Sequence, residues 1–148
     1  MLYQMGRQVL AELSFCDRAA VDDEAMVRRL LEQGARESGA TLLSIHVHRF
    51  QPHGVSGVAI LAESHLAVHT WPELGYAAVD AFTCGDHVDP RAAIAVLEKG
   101  PGARCNTTME LNRGMQPSIK AIAQIDSALH SQGEAQTGAA QTEGQPQA

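Results

Sequence analysis

The fold is determined mainly by residues 55–84, which read VSGVAILAESHLAVHTWPELGYAAVDAFTC. It contains three short apolar runs, Val55 to Leu61, His65 to Trp71 and Tyr76 to Cys84. Short runs of this kind, bounded by polar residues or by a proline such as Pro72, are typical of strands. Because consecutive strands joined by only a few residues cannot accommodate a crossover helix, we expect them to pair antiparallel.

The segments around this stretch predict two helices and three more strands. The helix signals are an acidic N-cap before a periodic apolar face and a glycine at the end, and the strand signal is alternation of apolar and polar residues. We expect strands at Gly6 to Phe15, Leu43 to Val47 and Ala103 to Leu111, and helices from Asp22 or Asp23 through Ser38 and from Asp89-Pro90 to Gly100. The order β-α-β-β-β-β-α-β favours an α+β fold, a two-layer sandwich with a mainly antiparallel sheet and two helices on one face, over a parallel doubly wound fold.

The end of the chain differs in composition from the body. Residues 131–148 read SQGEAQTGAAQTEGQPQA, in which alanine is the only apolar residue, so we expect a disordered polar tail. Between the body and this tail, residues 116–130 carry apolar residues at roughly helical spacing and predict a short C-terminal helix. The predicted folded domain is therefore residues 1–115.

Composition excludes several classes of protein. The chain has 148 residues, with 11 Lys and Arg against 17 Asp and Glu, a net charge of −6. That length suits one domain, and the absence of a basic cluster argues against a nucleic acid partner. No apolar run approaches the roughly 18 residues of a membrane span, so no membrane partner is expected. Three cysteines, Cys16, Cys84 and Cys105, suit neither a disulfide framework nor a zinc knuckle, and the first residues lack an export signal. We therefore expect a cytoplasmic protein.

Residues 63–86 hold the densest group of reactive side chains, and two readings come from residue types alone. Ser64, His69 and Asp80 are the components of a Ser-His-Asp hydrolase, although the sequence has no nucleophile elbow. A zinc site could use imidazole and thiolate ligands from His46, His48, His65, His69 and Cys84. Strand alternation places His46 and His48 on the same face, where two histidines exposed to solvent are more common than two zinc ligands. Neither reading explains Glu63-Ser64.

Several motifs in fixed order resemble the S-adenosylmethionine decarboxylase proenzymes of the short prokaryotic, self-processing, pyruvoyl-dependent type. The central motifs are Glu63-Ser64-His65-Leu66, His69-Thr70-Trp71-Pro72-Glu73, Gly75-Tyr76-Ala77-Ala78 and Phe82-Thr83-Cys84-Gly85. The likeness extends over roughly residues 6–115. It implies decarboxylation of S-adenosyl-L-methionine to S-adenosylmethioninamine, the aminopropyl donor for spermidine, through a Schiff base to a pyruvoyl group.

The resemblance implies that the pyruvoyl group is made from Ser64. Cleavage between Glu63 and Ser64 would give a β chain, 1–63, and an α chain, 64–148. His69 matches the proton acceptor of this processing, and Ser56 matches a hydroxyl that assists it. Because alternation would place Ser64 and His69 on opposite faces of a strand, a strained bend is required at Glu63-Ser64.

The remaining implied roles concern turnover and binding. Cys84 matches the proton donor to the substrate, Phe50 and Trp71 match aromatic residues that stack on adenine, and Glu73 matches a carboxylate for the ribose hydroxyls. The mature enzyme would be a dimer of αβ pairs with active sites near the subunit interface, with no metal ligands implied. Cys16 and Cys105 are interpreted as core residues. Five further residues are interpreted as structural or as supporting the catalytic residues: His46, His48, His53, His65 and Tyr76.

Two alternatives remain. A pyruvoyl-dependent ornithine or arginine decarboxylase could use the same scaffold, because the chemistry requires only an α-amino acid. A non-processing domain with a metal-binding or regulatory role is the alternative of another class.

Overall fold

The computed structural model describes residues 2–117 of the chain. Its strands are β1 (Leu2–Tyr3), β2 (Gly6–Ser14), β3 (Leu42–Arg49), β4 (Val55–Leu61), β5 (Ser64–Trp71), β6 (Tyr76–Cys84), β7 (Cys105–Arg113) and β8 (Gln116–Pro117). Its helices are α1 (Arg18–Val21), α2 (Glu24–Glu37) and α3 (Pro90–Lys99), and a single 3-10 turn spans Pro72–Leu74. None of these helices is long and apolar enough to span a membrane.

Six strands form one sheet in the order β3-β4-β5-β6-β2-β7, and every neighbouring pair is antiparallel. The three strands of residues 55–84 are adjacent in this sheet, as their short connections require. Strand β2 comes first in this sheet along the chain but lies between β6 and β7. The predicted α+β class is confirmed, and the site described below is built on the central strands β4, β5 and β6.

Helices α2 and α3 cover one face of the sheet, with α2 packed on β3, β4 and β5 and α3 on β2 and β6. Both begin at the acidic N-caps that the sequence indicates: Asp23 accepts hydrogen bonds from Ala25 and Met26, and Asp89 accepts one from Arg91. The short helix α1, capped by Asp17, was not predicted. Four residues are too few to show a 3.6-residue periodicity.

The core lies between these helices and the sheet. Leu13, Leu31, Leu66 and Leu97 are its largest fully buried side chains. Helix α2 approaches the sheet closely at Gly57 of β4, where an added Cβ would lie 2.9 Å from Leu31 Cδ1. A glycine at this position therefore lets α2 pack directly on β4 beside the candidate site.

The opposite face of the sheet, here called the outer face, carries neither α2 nor α3. Cys105, Met109 and Leu111 alternate onto this face of β7 and are exposed. The interpretation of Cys105 as a core residue is therefore wrong, since the grouping with Met109 and Leu111 holds but neither α2 nor α3 covers that side. Cys16 is buried, and this burial raises the pKa of its thiol.

Residues outside the six-stranded sheet add one small element. Leu2–Tyr3 pairs antiparallel with Gln116–Pro117. The helix predicted over 116–130 therefore does not start at residue 116. Its remaining residues and the tail predicted over 131–148 lie outside the described part of the chain.

Candidate active site

The peptide bond between Glu63 and Ser64 lies in the tight turn from β4 to β5. Ser64 has a φ of 144°, a conformation that residues other than glycine rarely adopt, and such residues carry strain of about 1–3 kcal/mol. The sequence required a bend at this position, and the structure has one. Because of it, Ser64 and His69 line the same groove on the outer face although they are five residues apart on one strand.

The Glu63 side chain is anchored to the chain that leads into β3. Its Oε2 accepts a hydrogen bond of 2.9 Å from the backbone N–H of Thr41, and its Oε1 lies 3.5 Å from His87 Nε2. The Thr41 N–H is the main reason that the pKa of Glu63 is lowered from its ordinary value. The backbone N–H of Ala62 in turn donates to the Thr41 carbonyl. The turn is thus fixed immediately before Ser64.

The carbonyl oxygen of Glu63 accepts a hydrogen bond of 2.9 Å from the backbone N–H of Cys84, at the end of β6. This N–H points at the oxygen that would become negative if a nucleophile added to the Glu63 carbonyl carbon. Thr83, next to Cys84, pairs with Ser64 across the two strands. The Cys84 side chain itself is exposed at the same end of the sheet.

The groove on the outer face has a volume of about 590 Å³ and is lined by residues of β3, β4 and β5. Ser56 and His69 are cross-strand partners within it, and Ser56 Oγ lies 2.8 Å from His69 Nδ1. Ser64 lines the groove as well. Three of the four predicted processing residues, Ser56, Ser64 and His69, therefore share one surface.

The structure pairs Asp80 with His65 rather than with His69. His65 Nε2 lies 3.1 Å from Asp80 Oδ2, and His65 Nδ1 lies 3.3 Å from Ser64 Oγ. The hydrolase triad of Ser64, His69 and Asp80 is therefore not formed, because Asp80 contacts His65 instead of His69. The interpretation of His65 as structural or as supporting the catalytic residues did not include its contact with Asp80, because the expected pairing of β5 with β6 does not give the register.

The three residues predicted to bind substrate lie away from Ser64. Trp71, at the far end of β5, packs against Tyr76 with 5.3 Å between ring centroids. Glu73 Oε2 lies 3.3 Å from His53 Nδ1, and Phe50 follows the end of β3. Seven residues of strand separate Ser64 from Trp71, about 23 Å at 3.3 Å per residue. Phe50 and Trp71 therefore lie towards one end of the sheet and Ser64 lies at the other.

Between residues 2 and 117, no three His, Cys, Asp or Glu side chains are arranged to hold a metal ion. Two histidines of the zinc alternative instead have other partners in the described structure. His69 contacts Ser56 and His65 contacts Asp80.

Comparison with known proteins identifies the family. The S-adenosylmethionine decarboxylase family model matches residues 7–114. The chain is 44% identical over 112 residues to an S-adenosylmethionine decarboxylase proenzyme of Methanococcus maripaludis, covering 76% of this chain and 92% of that one. It is 50% identical over 111 residues to the proenzyme of Carboxydothermus hydrogenoformans, covering 75% and 87%.

A solved structure agrees with these matches. The crystal structure of the adenosylmethionine decarboxylase from Aquifex aeolicus superimposes with a TM-score of 0.73 at 35% identity, covering 78% of this chain and 95% of that one. The family model's match contains the turn at Glu63 and Ser64 and all of the six-stranded sheet except Gly6, the first residue of β2. The chain belongs to the S-adenosylmethionine decarboxylase family.

Proposed function

We propose that this chain is an enzyme that decarboxylates S-adenosyl-L-methionine to S-adenosylmethioninamine, the aminopropyl donor for spermidine, after cleaving itself between Glu63 and Ser64. Membership of the family supports the substrate. The observation that carries the proposal is the geometry of the turn: Ser64 is strained at φ 144° and the Glu63 carbonyl is held by the Cys84 N–H.

Cleavage requires only groups of this chain. Ser64 Oγ adds to the Glu63 carbonyl carbon, the C–N bond breaks, and the peptide becomes an ester with a free amine on Ser64. Loss of the Ser64 Cα proton then expels the Glu63 carboxylate, which leaves chains 1–63 and 64–148. His69 is our candidate for the proton acceptor, and Ser56, 2.8 Å from its Nδ1, holds the ring in place.

The dehydrated Ser64 that remains hydrolyses to a pyruvoyl group, with loss of ammonia. The residues present fit such a group: Ser64 opens onto a groove of about 590 Å³, large enough for the reacting part of a substrate. When bound to the chain, this group supplies a carbonyl that accepts the electrons released with carbon dioxide. Cys84, on the strand beside Ser64, is our candidate for the thiol that returns a proton to the substrate Cα.

Substrate binding in this proposal involves two copies of the chain. Phe50 and Trp71 would stack on adenine and Glu73 would accept hydrogen bonds from the ribose hydroxyls. Trp71 lies about 23 Å along β5 from the Ser64 of its own chain, farther than an extended S-adenosylmethionine reaches, and Phe50 and Glu73 follow strand ends on the same side as Trp71. We therefore propose a dimer of αβ pairs in which each copy lends these residues to the site of the other.

The outer face supports a dimer of this kind. Met109 is 58% exposed and Ile60 39% exposed on a face that α2 and α3 do not cover. Exposed apolar groups on one sheet face are typical of an interface. Sedimentation should give twice the protomer mass, and Met109→Glu should reduce it to that of one αβ pair. A monomeric wild-type enzyme with full activity would contradict the shared site.

The decisive experiment measures carbon dioxide release from S-adenosylmethionine, ornithine and arginine in parallel, together with the chain pattern on a denaturing gel. We expect two chains, a carbonyl-reactive N-terminus on the larger one, and release from S-adenosylmethionine alone. Release from ornithine or arginine would instead support the shifted-specificity alternative. A single whole chain without activity would support a non-processing domain. A free Cys84 thiol needs a reducing compartment, so we propose the cytoplasm as its location.

A further inference from the structure

A line of four polar side chains crosses the outer face and ends at Ser64. It runs from Arg113 on β7 through Gln8 on β2 and Asp80 on β6 to His65 on β5. Each of these four adjoining strands contributes one member, so the line is positioned by the register of the sheet and not by a loop. The proposed function has so far given none of these residues a role.

The line determines which nitrogen of His65 carries a proton. The Gln8 Oε1 accepts from Arg113, which directs the Gln8 Nε2 to donate to Asp80 Oδ2 at 3.1 Å. The same carboxylate oxygen lies 3.1 Å from His65 Nε2. Because a carboxylate can only accept, Nε2 is the protonated nitrogen of a neutral His65, and Nδ1 keeps its lone pair.

That lone pair is directed at the nucleophile. His65 Nδ1 lies 3.3 Å from Ser64 Oγ, so the hydroxyl must be the donor of this contact. The ring is held further by Phe82, which it meets edge to face with 6.1 Å between centroids. His65 is therefore a fixed proton acceptor in contact with the atom that attacks.

We propose that His65 is the catalytic base of the first step of self-cleavage and that Asp80 is its positioning residue. The inference rests on the proposed function and adds the base of its acyl shift. His65 Nδ1 takes the Ser64 Oγ proton as Oγ bonds to the Glu63 carbonyl carbon. The imidazolium, stabilised by Asp80, returns the proton to the Ser64 nitrogen as the C–N bond breaks. No proton or electron is gained or lost overall.

His65 and His69, two of the four histidines that line the groove, then act in different steps. His69 is held by Ser56 and not by Asp80, and it is left for the later step, removal of the Ser64 Cα proton. Loss of His65 should therefore stop the chain as an amide, whereas loss of His69 should stop it as an ester. Hydroxylamine distinguishes these states because it cleaves an ester at neutral pH and leaves a peptide bond intact.

The first test follows newly translated full-length chains on a denaturing gel with and without hydroxylamine. We expect His65→Ala to cleave 10²- to 10⁴-fold more slowly than wild type, as for loss of a general base, and to resist hydroxylamine between residues 63 and 64. We expect His69→Ala chains to be split there by hydroxylamine. Wild-type cleavage rates in His65→Ala, or its splitting by hydroxylamine, would overturn the inference.

The second test separates the base from a structural role. Imidazole added to His65→Ala should restore cleavage, which a misfolded chain would not allow, and failure of this rescue would count against the inference. Asp80→Asn should slow cleavage because an amide can donate to Nε2 and move the proton to Nδ1, while Asp80→Glu should recover part of the rate. Asp86→Asn, an exposed change nearby, should cleave normally. A wild-type chain that never cleaves would refute the proposed function itself, and the inference with it.

Discussion

The backbone N–H of Cys84 donates a hydrogen bond of 2.9 Å to the carbonyl oxygen of Glu63. One residue thus offers two groups to two reactions. Its main chain holds the carbonyl that would be attacked in the proposed self-cleavage, and its thiol is the candidate acid of decarboxylation. The two roles can be separated by substitution, because a change of side chain leaves the N–H in place.

Replacing Cys84 should therefore uncouple processing from turnover. We expect Cys84→Ala to cleave within a few-fold of the wild-type rate and to lose about 10²- to 10⁴-fold in kcat, the usual contribution of a general acid. Chain cleavage on gels and carbon dioxide release measure the two rates. Cys105→Ala, which removes another exposed thiol, is the matched control and should change neither. Full turnover in Cys84→Ala would remove it as the donor.

Replacing Ser64 should abolish both reactions. Ser64→Ala lacks the attacking oxygen and the precursor of the carbonyl group, so the chain should remain whole and release no carbon dioxide. Mass spectrometry of the purified protein measures this directly. Ser14→Ala, at the end of β2, should be cleaved normally. Normal cleavage in Ser64→Ala would exclude Ser64 as the nucleophile.

The Glu63 side chain should control the rate of cleavage through its bond to the Thr41 N–H. Hydrogen bonds to charged groups contribute about 1.5–3 kcal/mol, so Glu63→Ala should slow processing about ten- to a hundred-fold. Glu63→Gln keeps an acceptor for Thr41 and should be slowed less. Time courses of newly made chains give both rates. Equal rates for wild type and Glu63→Ala would show that the anchor is not needed.

Much of this arrangement follows from local sequence patterns, and some of it cannot. The caps at Asp23 and Asp89 and the alternating strands are local features, so they are predicted almost to the residue. Strand order is not local: nothing in Gly6–Ser14 indicates that β2 lies between β6 and β7. The contact of His65 with Asp80 joins the neighbouring strands β5 and β6, whose pairing was expected, but it depends on the exact register of that pair, which alternation alone does not give.

Exposure of the outer face was missed for a similar reason. Alternation shows that Cys105, Met109 and Leu111 share a face but not which face the helices cover. The separation of Trp71 from Ser64 has a different cause. Motif matching names residues that act together without stating whether they act within one copy of the chain or between two.

Asp22 should make the stability of the fold depend on acid pH. Its carboxylate accepts from the Gly54 N–H at 2.8 Å and from Arg49 at 2.5 Å, and the pKa of Asp22 is lowered, mainly by the Gly54 bond. A lowered native pKa adds stability that is present above the ordinary value and is lost as the pH falls through the native one. The melting temperature should therefore fall less on acidification in Asp22→Asn than in wild type. Parallel curves for the two proteins would refute the linkage.

Gly57 should be required for the packing of α2. A Cβ there would lie 2.9 Å from Leu31 Cδ1 and 3.0 Å from Val27 Cγ1, so we expect Gly57→Ala to lower the free energy of unfolding by about 1–3 kcal/mol. Urea unfolding of Ser64→Ala chains, which stay whole, measures it. Adding Leu31→Val should cost less than the sum of the single changes, because it relieves the same clash. Strict additivity would mean that the side chain is accommodated elsewhere.

The position of β2 between β6 and β7 determines how the two products of the proposed cleavage would be held together. The chain of residues 1–63 keeps β2, β3 and β4, and the chain of residues 64–148 keeps β5, β6 and β7. The two products are interdigitated across three ladders, β4 with β5, β6 with β2 and β2 with β7. These ladders would hold the two products together without a covalent link. Once unfolded, however, they must find each other by diffusion, so the one-chain precursor alone refolds independently of concentration.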